Sequence, residues 1–275
     1  MALSVNTNVT SMNAYNQLSK TQDALKTSFA RLASGMRINS AADDAAGLGI
    51  SKSMNAQIRS YAVAERNTND GISMLQTADG GAEQIHGLLT RMRELATQAS
   101  NGSLSANDYS NIDAEFQQNL EEIDRVAGSV QFNGINLLQG AAASRTFQVG
   151  IGTASTDQIS VDFGGADATQ LAVTGSSVTS YANAQAAITS LDSAIQTLSG
   201  VRAGFGASMN RFTSTVTSLQ SMQTNTAASL SRIQDTDIAS ETASLSKNQV
   251  LSQAGAAILS QANQTPQLAL SLLRG

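Results

Sequence analysis

Cysteine and tryptophan are absent from this 275-residue chain, which has a single proline, Pro266, and a single histidine, His86. Without cysteine there is no disulfide scaffold and no thiolate metal site. One histidine with no HEXXH pair gives a metal centre little to build on, so neither a metal nor any other cofactor is expected. Charge is also scarce: Asp, Glu, Lys and Arg make up 13% of residues, about half the usual share. Net charge is −5 and Lys and Arg form no run, which argues against nucleic acid or an anionic membrane as partner. No segment approaches the roughly 18 apolar residues of a membrane span. The opening MALSVNTNVTSMNAYNQL has neither a basic stretch nor a continuous apolar one. No cleaved secretory signal is therefore expected, and any export would use another route.

What the chain has is periodicity. Val5, Val9, Met12, Tyr15, Leu18, Leu25, Phe29, Leu32 and Met36 step mostly by three or four, the mark of one helical face, and Gly35 stands where a helix C-cap would. A second run, from about Asp43, passes through Ile50, Ile58, Leu75, Ile85, Leu89 and Leu95, long enough for a helix of about 80 Å. Asp43 and Asp44 are expected in its first turn, favouring the positive end of the dipole. Ser105 with Asp108 reads as a capping pair for a third helix carrying Ile112, Phe116, Leu120, Ile123 and Val126. The period then changes to two. Phe147, Val149 and Ile151 alternate, as do Ile159, Val161 and Phe163, so short β-strands are expected within 141–180. Tyr181 to Ile233 resumes the helical step for more than fifty residues, and DTD at 235–237 reads as a joint. GFGAS at 204–208 has no phosphate-loop Lys and is expected to mark a close-packed point inside that helix. Asn8 and Asn101 each open an N-x-S/T triplet.

The fold class is therefore mainly α: an elongated antiparallel helical, coiled-coil rod with paired N- and C-terminal segments and a small β-hairpin region in the middle. Three parts are expected. Residues 1–40 and 236–275 form a terminal helical pair, 41–140 and 181–235 a long-helix domain, and 141–180 a short β-rich insert. The last helix is unusual, because Arg274 is the only charged side chain in 248–275. An ordinary surface helix turns charge to water, whereas this one turns Asn, Gln, Ser and Ala outward. Both terminal segments share that bias, and a two-helix pair buries too little apolar area to offset roughly 1–2 kcal/mol of backbone entropy per residue. The expectation is self-assembly, with the terminal segments ordering when other copies cover them. Val5, Val9, Met12, Leu18, Leu25, Phe29, Leu32, Leu245, Leu251, Ile258, Leu268 and Leu272 are the candidate contacts.

Several long motifs carry a resemblance. RLASGMRINSAADDAAGLGIS (31–51), NDGISMLQTADG (69–80), RMRELATQASNG (91–102) and EIDRVAGSVQFNGINLL (122–138) resemble the N-terminal half of bacterial flagellin. SRIQDTDIASETASLSKNQVLSQAGAAILSQANQTPQLALSLLR (231–274) resembles its C-terminal signature. The resemblance implies a short form with a minimal variable outer region, secreted to the bacterial flagellum as a subunit of the extracellular filament. It implies a structural protein and not an enzyme, exported unfolded through the flagellar type III apparatus. Its partners would be itself, as a helical homopolymer, an export chaperone, and the hook-associated junction and cap proteins. Family members read by Toll-like receptor 5 use residues that correspond here to Leu89, Arg91, Leu95 and Glu115. Thr90 stands where those members often have Gln. All four residues are expected to be filament packing contacts first.

A hook–filament junction protein would have similar ends and is the alternative reading. A hydrolase carried in the insert is a third, disfavoured because 141–180 contains no His or Cys. A membrane-inserting amphipathic protein is a fourth, disfavoured by the missing basic face.

Overall fold

The computed structural model describes residues 7–141 and 143–274, with side chains as far as Gln264. Five helices dominate: α1 (Val9–Ser34), α2 (Ala45–Ala99), α3 (Ala106–Ser129), α4 (Tyr181–Gln234) and α5 (Ile238–Arg274). Between α3 and α4 lie two antiparallel strand pairs, β1 (Gln131–Phe132) with β2 (Ile135–Asn136) and β3 (Ala143–Gln148) with β4 (Gln158–Phe163). The chain divides into a terminal unit, Met1–Ala56 with Asn225–Gly275, and a central unit, Gln57–Thr224.

The central unit is a conventional hydrophobic core. From α2 come Leu75, Ala78, Ala82, Ile85, Leu89 and Met92, and from α4 Ala184, Leu191, Leu198, Phe205 and Phe212, all buried. The α2 positions repeat at three and four and the α4 positions at seven, two turns apart, so each helix presents one continuous stripe. Ile112, Phe116, Ile123 and Val126 of α3 complete the core, as the period predicted. Cross-links between α2 and α4 run antiparallel: Arg93 Nε donates to Asp192 Oδ1 at 2.6 Å, Arg202 Nε to Asp79 Oδ1 at 2.8 Å, and Gln220 Nε2 to Glu65 Oε1 at 2.8 Å. Arg93 and Asp192 are both about half exposed, and such pairs contribute at most about 1 kcal/mol. A fully buried Leu or Phe is worth about 1.5–3 kcal/mol. Apolar packing therefore holds the unit together and the ion pairs set its register.

Segment starts follow local chemistry. The Ser105 hydroxyl accepts from Asp108 N while the Asp108 carboxylate accepts from Ser105 N, the reciprocal capping box expected for α3. Bonds from the Ser105 hydroxyl and then its N–H hold the Asp108 carboxyl below the ordinary aspartate range. After α3, Asn133 and Gly134 both take positive φ (49° and 77°), turning β1 into β2. An Asn-Gly pair suits such a hairpin because both central residues need left-handed backbone. FNGI carries the Asn-Gly signal of this mini-hairpin.

Four expectations are corrected. First, β3 runs over Ala143–Gln148 and so stops before Val149 and Ile151. Val149 N and Gly150 N both donate to Asp157 O instead, closing the loop to β4.

Second, the segment 141–180 is built into the core of the central unit. Val149, Ile159, Val161, Phe163, Leu171, Val173 and Val178 are all buried. Phe147 meets Phe212 edge-on with centroids 5.4 Å apart, and Phe163 packs on Phe205 at 5.8 Å. The irregular stretch after β4 is pinned by α3 carboxylates: Ala168 N donates to Asp124 Oδ1 and Val178 N to Asp113 Oδ1, each at 2.8 Å. These bonds give partners to backbone N–H groups that no sheet or helix supplies.

Third, Gly204 and Gly206 of GFGAS have open space around them, and Phe205 is the buried residue there. The close approach lies in α2, where a Cβ on Gly81 would strike the Val130 side chain and come within 2.9 Å of Leu138 Cδ1. Fourth, Asp43 precedes α2. It accepts from Asn39 N and Ser40 N and from the Ser40 hydroxyl, and only Asp44 caps the helix, accepting from Gly47 N at 2.8 Å.

Gly80 and Gly81 make an adjacent pair with opposite expectations, because nothing lies within 4 Å of a Cβ at Gly80. Gly80→Ala should stabilise the dispersed chain by up to about 1 kcal/mol through helix propensity. Gly81→Ala should destabilise it by about 1–3 kcal/mol through overpacking. Urea unfolding followed by circular dichroism checks both; equal effects would show that the packing at Gly81 yields freely.

Candidate self-assembly surface

The terminal unit is organised around α1 and α5, which pair antiparallel. Asn8 begins the pairing at one end. Its Oδ1 accepts from Ser11 N, capping α1, while its Nδ2 donates to Ala262 O at 2.8 Å. Ser11 Oγ donates to Asn263 Oδ1 at 2.7 Å alongside. At the other end Arg31 and Glu241 form an ion pair at 3.5 Å, with side chains 30% and 14% exposed.

Two linkers meet beyond that pair. Gly35 takes φ 70° as the α1 C-cap, as expected. Met36 bridges Asp235, Arg37 N donates to Gln234 O at 2.6 Å, and Thr236 N donates to Gly35 O at 2.9 Å. The Arg37 guanidinium donates to Ile233 O at 2.7 Å, placing a cation on the last carbonyls of α4, where the helix dipole favours it. Asp237 opens α5 by accepting from Ala239 N and Ser240 N. The sequence marked 235–237 as a joint but gave no sign that 35–37 is bonded to it. On the loop that follows, the Ser40 N–H, the Ser40 hydroxyl and the Asn39 N–H hold Asp43 below the ordinary aspartate value of 3.8. A lowered folded-state value stabilises the turn fully above pH 3.8, and that stabilisation is lost as pH falls through the lowered value.

Between the helices, less exposed positions recur on α1 at Ser11, Ala14, Leu18, Thr21, Leu25, Ser28 and Leu32, with Ala24 and Arg31 beside them, and on α5 at Glu241, Leu245, Asn248, Ser252, Gly255, Leu259 and Ala262. Both series alternate steps of three and four, the seam of a two-stranded coiled coil. Beside five leucines, its contents are small or polar. Thr21 and Ser28 are the α1 side chains that become buried, and Gly255 faces Leu18, with 3.5 Å from a Cβ there to Leu18 Cδ1.

Many other large side chains point elsewhere. Val9, Met12, Tyr15, Phe29, Ile238, Val250, Leu251 and Ile258 are between 45% and 65% exposed. The stripe read from the sequence thus splits into two. Leu18, Leu25, Leu32 and Leu245 belong to the seam within the chain, whereas Val9, Met12, Phe29, Leu251 and Ile258 face outward. Steps of three and four blur neighbouring faces because each residue turns about 100°, so sequence alone merged them. Tyr15, Ile238 and Val250 join the outward set. Val5 and the side chains of Leu268 and Leu272 lie outside the described residues. Burying each outward side chain would contribute about 1.5–3 kcal/mol, and the absence of charge among them removes the desolvation cost that ions would add.

The receptor-patch residues separate as well. Leu89 is 0% and Leu95 2% exposed, both in the central core, so they cannot be surface contacts in this conformation. Arg91 is exposed and donates to Glu115 Oε1 at 2.7 Å and to Glu94 Oε2 at 3.0 Å. Those bonds, Glu115 first, raise its pKa further. Among the described residues no group of His, Asp and Glu gathers as a metal site, and no helix is long and apolar enough to cross a membrane.

Residues 5–143 match the family described as the bacterial flagellin N-terminal helical region, and residues 188–273 match the bacterial flagellin C-terminal helical region. The chain is 40% identical over 270 residues to a flagellin of Halalkalibacterium halodurans, an alignment covering 98% of this chain and 99% of that one. It is 38% identical over 282 residues to the flagellar filament 30.7 kDa core protein of Treponema maltophilum, again covering 98% and 99%. The crystal structure of Bacillus cereus flagellin aligns at 35% identity over 60% of this chain and 94% of that chain, with a TM-score of 0.49.

The Arg31–Glu241 pair tests the seam. Arg31→Glu should set two carboxylates together and cost about 1–3 kcal/mol, between the values for exposed and buried pairs. Adding Glu241→Arg should recover most of that loss. A thermal-unfolding double-mutant cycle measures the coupling, and additive losses would show that the two side chains do not interact.

Proposed function

The chain belongs to the bacterial flagellin family, and from that premise we propose that it is the repeating subunit of a helical flagellar filament, the propeller of a swimming bacterium. The outward apolar side chains of α1 and α5 carry this reading. A helix pair whose seam sets five leucines among Ser, Thr, Asn, Gly and Ala, while Val, Ile, Met, Phe and Tyr face outward, is poorly suited to stand alone in water. A surface that packs head to tail on copies of itself need not close, and so grows into a helical polymer. In that polymer the parts 1–40 and 236–275 would form the inner layer, 41–140 with 181–235 the next, and 141–180 the outer face.

Export belongs to the same proposal. The subunit travels unfolded through the type III apparatus to the outside of the cell, held beforehand by a chaperone, and is received between junction and cap proteins. The terminal pair orders as neighbours cover it, since an isolated pair of this kind is marginal in water. The near-full-length relatives are flagellins and filament proteins by name, and no observation favours a hook–filament junction role. Function on this reading lies in repeated non-covalent contacts and not in a catalytic site.

Toll-like receptor 5 recognition is proposed for the exposed Arg91, Glu94 and Glu115 cluster, with Leu89 and Leu95 supporting it from the core. Arg91→Ala should leave the unfolding temperature within the small range of surface substitutions, about 0.5 kcal/mol, and reduce the reporter-cell response. An unchanged response would reject the receptor assignment.

Ile258→Asp and Val250→Asp test assembly. Both positions are exposed in the single chain, so neither change should lower its thermal stability appreciably. Seeded polymerisation followed by electron microscopy should give no filaments from either variant, because each places an unpaired carboxylate in a packed contact. Normal filaments from both would show that this face stays open in the polymer and would sink the reading.

A further inference from the structure

With no cysteine in the chain, methionine thioethers are its only sulfur chemistry. Their burial spans a wide range, with Met36, Met54 and Met209 half-buried. Met74 and Met92 lie in the central core, where an oxidant cannot reach them, whereas Met12 is 59% and Met222 49% exposed. Met12 belongs to the terminal unit and Met222 to the central one. Met12 also sits at a shallow hollow of about 350 Å³ between α1 and α5, lined with Ser11, Tyr15, Asn16, Leu259 and Asn263. The hollow opens to solvent beside the hydrogen bond from Ser11 to Asn263, which gives a small polar oxidant room to approach the sulfur.

We propose that Met12 is an oxidation site through which peroxide controls whether a subunit can join the polymer. This rests on the assembly reading of the terminal pair. One oxygen of hydrogen peroxide is transferred to Met12 Sδ: the O–O bond breaks, an S–O bond forms, the thioether is oxidised by two electrons to the sulfoxide, and the peroxide leaves as water. The product replaces a flexible apolar tip with a strongly polar, chiral one. In the polymer contact that oxygen must shed its water against the outward apolar side chains of α1 and α5, and the desolvation of a polar group opposes burial. Oxidised subunits are therefore excluded from growth. A subunit already in the polymer has Met12 covered and keeps its thioether. Two-electron reduction by a dithiol, which becomes a disulfide while the sulfoxide oxygen leaves as water, returns an excluded subunit to the competent pool.

The test treats dispersed full-length subunits with hydrogen peroxide, quantifies each methionine by peptide mass spectrometry, and then seeds polymerisation. Wild type and Met222→Leu should lose filament yield in proportion to sulfoxide at Met12, while Met12→Leu treated identically keeps its untreated yield. Methionine sulfoxide reductase should restore the wild type, which keeps the test decisive even if Met12→Leu assembles poorly. In preformed filaments Met12 should oxidise several-fold more slowly than in dispersed subunits. Full filament yield from subunits completely oxidised at Met12 would overturn the proposal, as would equal losses in peroxide-treated Met12→Leu. Equal oxidation rates in filament and subunit would remove Met12 from the contact. The Ile258→Asp result, obtained without oxidant, judges the assembly reading separately.

Discussion

A pair of helices has one seam in which to bury apolar area, and the α1–α5 pair fills most of that seam with small and polar residues. Thr21, Ser28, Ser252 and Gly255 permit close approach but bury little hydrocarbon. Polar contacts fix the register in its place, from Asn8 on Ala262 at one end to Arg31 on Glu241 at the other. Such contacts align two helices without strongly stabilising them. The rest of the pair fits that deficit: Val9, Met12, Phe29, Val250 and Ile258 face outward, and residues 248–273 contain no charged side chain that a neighbouring chain would have to desolvate.

The central unit is governed by the opposite balance. Its helices bury Leu, Ile, Met and Phe completely, and the residues after α3 add further apolar side chains to the same core. A short irregular segment can lie against three helices only if its backbone N–H groups find acceptors. Asp113 and Asp124, reaching from α3, supply them at Val178 and Ala168. The acidic bias of α3 is thus partly structural. Its other carboxylates cap the helix, as Asp108 does, or pair with arginine, as Glu115 and Glu122 do. A chain with so few charges uses many of them as local fasteners.

Scarcity has a chemical side too. A polymer subunit without cysteine cannot cross-link through disulfides, and its remaining sulfur ranges from Met74 and Met92, locked in a core, to Met12 and Met222, displayed on a surface. Met12 is displayed on the same face that the assembly reading assigns to neighbouring copies. That coincidence ties the oxidation chemistry of one side chain to the growth of the whole polymer.

Much of this was legible in the sequence because it depends on local periodicity. The five helices, the α3 capping box, the Gly35 C-cap and the strand at 158–163 each arise from residues a few positions apart, where backbone and side-chain preferences act directly. FNGI held the signal for the mini-hairpin as well, in the positive φ that Asn and Gly tolerate. The division of the terminal stripe was not legible. Leu18 and Met12 sit on adjoining faces of one helix, and only the position of α5 decides which is covered. Nor could the sequence foresee that Gly81 and not Gly204 marks a close approach, or that residues 35–37 bond to 234–236. Each of those depends on partners far away along the chain. The sequence determined which segments are helical and which of them carry too little charge for water. The tertiary structure decided which face of each helix remains to be covered, because burial belongs to pairs of surfaces and not to single residues.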